Sequence, residues 1–345
     1  MKRVAHKRLR LGILGAAKIA RLFVEAVRPS SKLALEAVAS RDHARAEAFA
    51  QSVGVPRIHS SYEALLADPQ IDGVYIPLPN NLHAQWAIRA AEAGKHVLCE
   101  KPLAANAEEA RSIFAAAKAH DVAIVEGYPY RAQPQTRKLR EILAAQTLGE
   151  IRLIQASFGF LLADIENIRM KPELAGGAIM DAGSYPVSFI RLVTGTVPTR
   201  VHAMSQWSSS GVDLTTLGTL EFADGTMAQI SCSFATARHR HAFIAGERGS
   251  LTTSYYNDTG PLFPPVIEVR HGPGWDARRE VIETSAMNGF LAEAESFCDL
   301  LNDGPAAWTG ATPEESVDIA LVLDALAASA KRGAPVDIRA IAATP

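Results

Sequence analysis

The chain has 345 residues, 48% of them hydrophobic and 21% charged, with a formal net charge of -2. That composition excludes a disordered chain and is long enough for two domains. The near-neutral balance gives no electrostatic ground for a nucleic acid or an anionic membrane as partner and leaves a small molecule as the expected one.

Cys99, Cys232 and Cys298 stand at unrelated spacings, with no CxxC pair or Cys/His cluster to hold a metal, and read as reduced core residues. Met1 to Arg10 is basic but lacks the apolar segment of a secretory signal. No stretch approaches a membrane span, so the expected location is cytoplasmic.

Leu9 to Leu14 reads as a short apolar strand, and Ala17 to Val27 as a helix with Ile19, Ala20, Phe23, Val24 and Val27 on one face. Leu33 to Ala39 is a second strand, Ala44 to Ser52 a helix, Gly73 to Pro77 a third strand and Leu82 to Ala93 a helix. Val97 to Cys99 is a strand, Ala107 to Ala119 a helix and Ala123 to Glu126 a strand. This alternation predicts a parallel sheet covered on both faces. After a helix from Gln135 to Ala145 the pattern turns to period-two runs, at Ile151 to Phe160, Arg200 to Trp207, Thr216 to Phe222, Met227 to Phe234 and Val266 to His271. Asp224-Gly225 between two of them is a hairpin signal. The second half therefore reads as an α+β domain with a largely antiparallel sheet, closed by helices at Gly289 to Leu301 and Glu314 to Lys331.

The first strand runs into Gly12-Ile13-Leu14-Gly15-Ala16-Ala17-Lys18-Ile19-Ala20. Read as G-x-G-x-x-G/A, its three positions are Gly15, Ala17 and Ala20, suited to a tight turn, a close pyrophosphate and close helix packing. Phosphate would rest on the helix N-terminus. Small residues at a tight strand-helix contact are the other explanation. At the end of the second strand, Ser40-Arg41 suits a 2'-phosphate, because guanidinium offers a fork of donors, and favours NADP over NAD. Alternatively, Asp42 caps a helix and Arg41 is solvated. The turn Leu78-Pro79-Asn80-Asn81-Leu82-His83 borders the same strand ends, where Asn80 and His83 could face a cofactor or Asn80 could cap a helix. Val97-Leu98-Cys99-Glu100-Lys101-Pro102 is an apolar strand stopped by a carboxylate, an amine and a proline, which delivers Glu100 and Lys101 to the ligand side of a parallel sheet.

Tyr130 and Arg131 follow the last strand of the first half and could meet substrate or fill a domain junction. Pro186 belongs in a helix's first turn, so a helix starts near Ser184 and Asp181 and Tyr185 flank its beginning. Arg238-His239-Arg240-His241 reads as a solvated strand face, and Trp207 and Trp275 as packing residues.

The glycine turn, Ser40-Arg41, Leu78-Pro79-Asn80 with His83, Glu100-Lys101-Pro102, and Gly176-Gly177 followed by Asp181-Ala182-Gly183-Ser184-Tyr185 together resemble the glucose-fructose oxidoreductase / inositol dehydrogenase / MocA family, and within it the dihydrodiol and aldose dehydrogenase branch. The resemblance runs from about Leu9 to Ile338. It implies a Rossmann domain over residues 1–130 and an α+β domain over 131–345 whose open-faced sheet supplies substrate contacts and the interface of a homodimer or homotetramer. Late helices could pack back on the first domain. It also implies that Gly15 to Ile19 (with Ala16, Ala17 and Lys18), Ser40, Arg41, Leu78, Pro79, Asn80, His83, Glu100 and Lys101 hold NADP, or NAD. Lys101, Asp181 and Tyr185 would carry the chemistry, and Tyr130, Arg131, Asp181 and Tyr185 would touch substrate. Hydride would move between nicotinamide and a secondary alcohol or hemiacetal of a sugar-like or cyclic diol substrate, with Tyr185 moving the proton and Lys101 steadying the oxygen. Two other classes share the fold. One is a redox-neutral enzyme with tightly held nicotinamide, an aldose-aldose oxidoreductase or an NAD-dependent glycosidase, and the other a cofactor-sensing regulator without catalysis.

Overall fold

A computed structural model describes residues 7–342, so the Met1 to His6 part of the basic N-terminal stretch lies outside the described residues. The described chain divides into two units. One takes in the residues up to Ala104, Glu108–Ala132 and Asn288–Pro313; the other takes in Ala105–Ala107, Gln133–Met287 and the residues from Glu314 onward. Residues 288–313 thus lie in the first unit, which a single cut after residue 130 does not express.

The first unit holds six strands: β1 (Leu9–Leu14), β2 (Leu33–Ala39), β3 (Arg57–His59), β4 (Gly73–Ile76), β5 (His96–Glu100) and β6 (Ile124–Gly127). They lie in the order β3-β2-β1-β4-β5-β6, and every pairing is parallel. The order reverses between β1 and β4, and at such a switch point the carboxyl ends of the strands open a crevice for a ligand. Between the strands run α1 (Lys18–Val27), α2 (His43–Val53), α3 (Tyr62–Leu66), α4 (Asn80–Glu92) and α5 (Ala107–Ala119). The strands are apolar because both faces are covered; β4 is buried at all four positions. On one face Phe23 of α1 stacks on Tyr75 of β4, with centroids 3.9 Å apart, and meets Phe290 edge-on at 6.5 Å. Phe290 belongs to a helix, Gly289–Asp303, whose Asn288 side chain accepts the Phe290 N–H at 3.0 Å. That helix contributes Ala294, Phe297 and Cys298 to the same core.

The second unit carries α6 (Pro134–Ala144), α7 (Ser184–Thr194) and a nine-stranded sheet. Its strands are β7 (Ile151–Leu161), β8 (Arg200–Trp207), β9 (Asp213–Glu221), β10 (Met227–Ser233), β11 (Ala235–Gly246), β12 (Gly249–Ser254), β13 (Val266–His271), β14 (Arg278–Glu283) and β15 (Val336–Asp337), in the order β14-β13-β12-β11-β7-β10-β9-β8-β15. All pairings are antiparallel except β7 with β10. The Asp224-Gly225 hairpin forms as its sequence requires: Gly225 has φ +84°, and the Asp224 carboxylate accepts the Thr226 N–H at 3.0 Å. One sheet face is covered, with Val201, Ala203, Leu220, Ala228 and Ile230 buried, whereas Leu153, Met204, Leu217 and Met227 stand exposed on the other. Trp207 is partly exposed and Trp275 fully exposed, so neither is the packing residue that its size suggests. Among the described residues no helix is long and apolar enough to cross a membrane.

Candidate active site

In the first unit the carboxyl end of β1 enters a turn at Gly15, whose φ of +116° suits glycine and whose N–H donates to Ala39 at 2.8 Å. A Cβ at Gly15 would lie 2.9 Å from Leu78 Cδ2, so a side chain there would displace the end of Leu78 as well as strain the backbone. Ala16 and Ala17 follow, and α1 begins at Lys18 with Ile19 and the buried Ala20 behind it. The α1 N-terminus has no side-chain cap and no acidic residue in its first turn. Its amide hydrogens and dipole are therefore available to a phosphate, so the residues present fit a dinucleotide.

At the end of β2, Ser40 is buried, and the Asp42 carboxylate accepts the Arg45 N–H at 3.2 Å as the cap of α2. The acidic side chain is thereby committed to its own helix. Arg41 is exposed, and its charge acts on the phenol of Tyr62, whose hydroxyl lies 3.7 Å from the Cβ position of Gly15. Burial pushes the Tyr62 phenol above its ordinary value, while the charges of Arg41 and Arg45 act against that.

Leu78 and Pro79 lead into α4, which begins at Asn80. His83 was a candidate cofactor contact, but it is buried with Nδ1 2.8 Å from the Pro102 carbonyl and Nε2 2.8 Å from the Leu78 carbonyl. Both ring nitrogens lie against backbone carbonyls, to one of which the neutral ring donates, so the ring acts as a strut. Burial lowers its pKa, the charge of Lys101 adds to that, and the two carbonyls oppose it. On the other side the Glu126 carboxylate accepts the Leu103 N–H at 2.9 Å. The segment carrying the half-buried Lys101 is therefore clamped immediately after the lysine, at Pro102 and Leu103. The Lys101–Pro102 peptide bond is cis.

Glu100 accepts the Tyr75 hydroxyl at 2.6 Å, a buried contact between neighbouring strands. Glu293, which sequence reasoning missed, is another buried carboxyl: it is 1% exposed, and a Cβ on Gly127 would lie 3.4 Å from its Oε2. Tyr130 and Arg131 are 1% and 2% exposed in a short turn, Pro129–Ala132, with Tyr130 edge-on to Tyr128 at 6.2 Å. Both side chains are buried within the first unit.

In the second unit Gly176-Gly177 shapes the acid. Gly177 N–H donates to the Arg169 carbonyl at 2.9 Å and Gly176 N–H to the Lys171 carbonyl at 3.1 Å. A Cβ on Gly176 would strike the Arg169 carbonyl, and one on Gly177, at φ +112°, would strike Asp213 Oδ1. Glycine alone lets this loop fold down, and it brings Arg169 Nε 2.7 Å from Asp181 Oδ2. Asp213 accepts the Ile179 N–H at 2.8 Å and the Thr216 hydroxyl at 3.0 Å, anchoring the π-helical turn Ile179–Gly183 that carries Asp181. Burial raises the Asp213 carboxyl and these donors oppose it.

Ser184 then opens α7 and Tyr185 occupies its first turn. The Tyr185 oxygen accepts the Asn257 amide at 2.7 Å, and its ring meets Phe158 edge-on at 5.3 Å. Arg240 was read as part of a solvated face. Instead it is 5% exposed, its guanidinium 3.8 Å from the Phe158 ring centroid and 4.0 Å from that of Tyr185. Arg240 lies in phase with Ala242 and Ile244, on the covered face of β11, past the register shift between Ala235 and His239. Arg169, Arg240 and Asn257 are the residues of this neighbourhood that sequence reasoning missed.

Residues 9–128 match a family model, GFO_IDH_MocA, described as an oxidoreductase family with an NAD-binding Rossmann fold, and residues 136–252 match the GFO/IDH/MocA C-terminal domain. The chain is 38% identical over 335 residues to D-xylose 1-dehydrogenase (NADP(+)) 2 of Haloferax volcanii, covering 95% of this chain and 99% of that one. It is 35% identical over 270 residues to trans-1,2-dihydrobenzene-1,2-diol dehydrogenase of Mus musculus, covering 75% and 81%. Among solved structures, KijD10, a 3-ketoreductase from Actinomadura kijaniata in complex with NADP and TDP-benzene, superposes with a TM-score of 0.84 at 29% identity, covering 94% of this chain and 98% of that one.

Proposed function

This chain belongs to the GFO/IDH/MocA oxidoreductase family, and on that premise we propose that it is an NADP-dependent dehydrogenase or reductase of a sugar-like or cyclic diol substrate. The observation that carries the reading is the end of β2: Asp42 is committed to a helix cap, which leaves Ser40 and the exposed Arg41 as the residues after β2 suited to a ribose 2'-phosphate. A D-xylose dehydrogenase, a dihydrodiol dehydrogenase and a ketoreductase among the relatives support the CH–OH chemistry. When bound, nicotinamide supplies or accepts the hydride.

Every other part of the chemistry falls to this chain's own residues. Gly15 to Ile19 hold the pyrophosphate, Ser40 and Arg41 the 2'-phosphate, and Leu78, Pro79 and Asn80 border the ribose and nicotinamide. Lys101 provides positive charge for an oxygen that becomes alkoxide-like, and Tyr185 gives up or takes the oxygen's proton. Asp181, ion-paired with Arg169, orients substrate hydroxyls.

The test is the absorbance of reduced nicotinamide over aldoses, inositols, keto-sugars and cyclic diols, in both directions, with NADP and NAD. Turnover with one class names the substrate and is the expected result, with NADP preferred and with Arg41→Ala erasing most of that preference. No turnover on any of them, with nicotinamide retained in the purified protein, would replace this reading with internal cofactor recycling.

The assembly we propose is a homodimer or homotetramer through the outer face of the nine-stranded sheet. Met204 pairs with Leu217 across β8 and β9, and Leu153 with Met227 across β7 and β10, so four exposed apolar side chains share that face. Sedimentation velocity is expected to show a dimer or larger; a monomer at micromolar concentration would remove the proposal.

A further inference from the structure

Arg240 presents an unusual charge balance. It is a cation 5% exposed, and no carboxylate of the described residues forms an ion pair with it. Its hydrogen bonds go to neutral acceptors, the Tyr255 carbonyl at 3.3 Å and Asn257 Oδ1 at 2.9 Å, while its Nε has no partner. Burying an uncompensated cation costs several kcal/mol, and the cost is offset where the cation faces a group that becomes anionic. The rings it faces are Phe158, 3.8 Å away, and Tyr185, 4.0 Å away, and of these two only Tyr185 can become anionic.

The hydrogen-bond polarity points the same way. Guanidinium only donates, so Asn257 must turn Oδ1 toward Arg240, which leaves Nδ2 to donate to the Tyr185 oxygen. Gln133 holds the amide's own backbone, donating from Nε2 to the Asn257 carbonyl at 2.7 Å. Tyr185 is consequently an acceptor toward Asn257, and its own proton is directed elsewhere. An amide polarised by a cation on one side is a stronger donor on the other, and a phenolate accepts better than a phenol.

We propose that Arg240, acting through Asn257, is a positioning residue that fixes the Tyr185 oxygen and steadies its anionic form. The inference rests on the reading of Tyr185 as proton carrier. In the oxidative direction the substrate hydroxyl proton passes to the Tyr185 oxygen as the carbon loses hydride. In reduction the phenol returns it, and Arg240 then faces a phenolate. Charged and titratable groups on the elements about Tyr185 in this unit include Asp181 with its partner Arg169 on the preceding turn and loop, Arg240 from β11 with Tyr255 and Tyr256 about it, and Cys232 of β10 against Gly183. Arg240 is the cation that stacks on the ring.

The experiment is the pH dependence of kcat/KM for oxidation in Arg240→Met, which keeps length and apolar packing but removes charge. The limb that rises with pH is expected to move up by about one unit or more, the size of an opposite charge within contact distance, with KM and cofactor affinity nearly unchanged. Arg240→Lys should move it less. Asn257→Ala, which leaves Arg240 in place, should shift it in the same direction, and serves if Arg240→Met does not fold. Tyrosinate absorbance of the cofactor-free protein, taken as a difference from Tyr185→Phe, should develop at higher pH in both variants. A uniform loss of rate at all pH values with no movement of the limb or of the absorbance would overturn the inference and leave Arg240 a packing residue. Full activity in Tyr185→Phe would instead overturn the reading of Tyr185 itself, so the two failures are separable.

Discussion

Lys101→Met is expected to lower turnover about a hundredfold or more while leaving cofactor affinity within a few-fold of the parent, as read by steady-state rates and by quenching of protein fluorescence on cofactor titration. Methionine preserves the length and apolar stem of lysine and removes only the ammonium. The backbone beneath it does not depend on the side chain, because Pro102 is fastened by His83 and Leu103 by Glu126. A drop in kcat with KM little changed is the signature of charge used in the transition state and not in ground-state binding. The loss should appear in both directions of the reaction, since the same oxygen carries partial negative charge whichever way hydride moves. Unchanged turnover would remove Lys101 from the chemistry, and lost cofactor binding would make it a phosphate or ribose ligand instead.

What the sequence disclosed follows from what each residue needs. The first-unit strands were legible because a strand covered on both faces is mostly apolar, and β1 and β2 fall where the apolar runs do despite Arg10 and Glu36. β3 was not, because it is a three-residue edge strand, Arg57–His59, whose polar residues lean on Asp68 and mimic a loop. The π-helical turn before α7 was also hidden, since nothing in Ile179–Gly183 distinguishes it from an ordinary helical start. Candidate residues at strand ends stand out because a charged group interrupts an apolar run, as at Glu100-Lys101-Pro102. The direction in which Glu100 and His83 point does not, because it depends on Tyr75 and on two carbonyls that only the fold brings near. Arg240 was the largest miss. Its partners Phe158, Tyr185 and Asn257 come from three separate segments, and periodicity says which residues share a face but not which face is covered.

Glu293→Gln is expected to stabilise the protein, and increasingly so as pH rises. The carboxyl is 1% exposed, its Oε1 has no hydrogen-bond partner, and burial pushes its pKa well above the ordinary value, helped by the neighbouring charges of Glu100 and Glu126. In the unfolded chain the same group ionises near pH 4.3, roughly. Below that pH both states are protonated and Glu293 adds no pH-dependent cost. Above it the unfolded state releases a proton that the folded state keeps, so folding is penalised by up to about 1.4 kcal/mol for each further pH unit, until the folded group ionises as well. Glutamine has the shape of the neutral acid and no such penalty. Its advantage over the parent should vanish toward pH 4 and grow to a melting temperature higher by roughly 5 °C at pH 8. Asp72 provides the opposite sign in the same unit. Its hydrogen bond from Arg10 holds that carboxyl far below the ordinary range, so its contribution is present above the unfolded value and is lost on acidification. Asp72→Asn should therefore destabilise at neutral pH and converge with the parent only in strong acid. An Asp72→Asn variant behaving in this way alongside a Glu293→Gln variant whose advantage does not change with pH would show that Glu293 is ionised in the folded protein, with a cation compensating it.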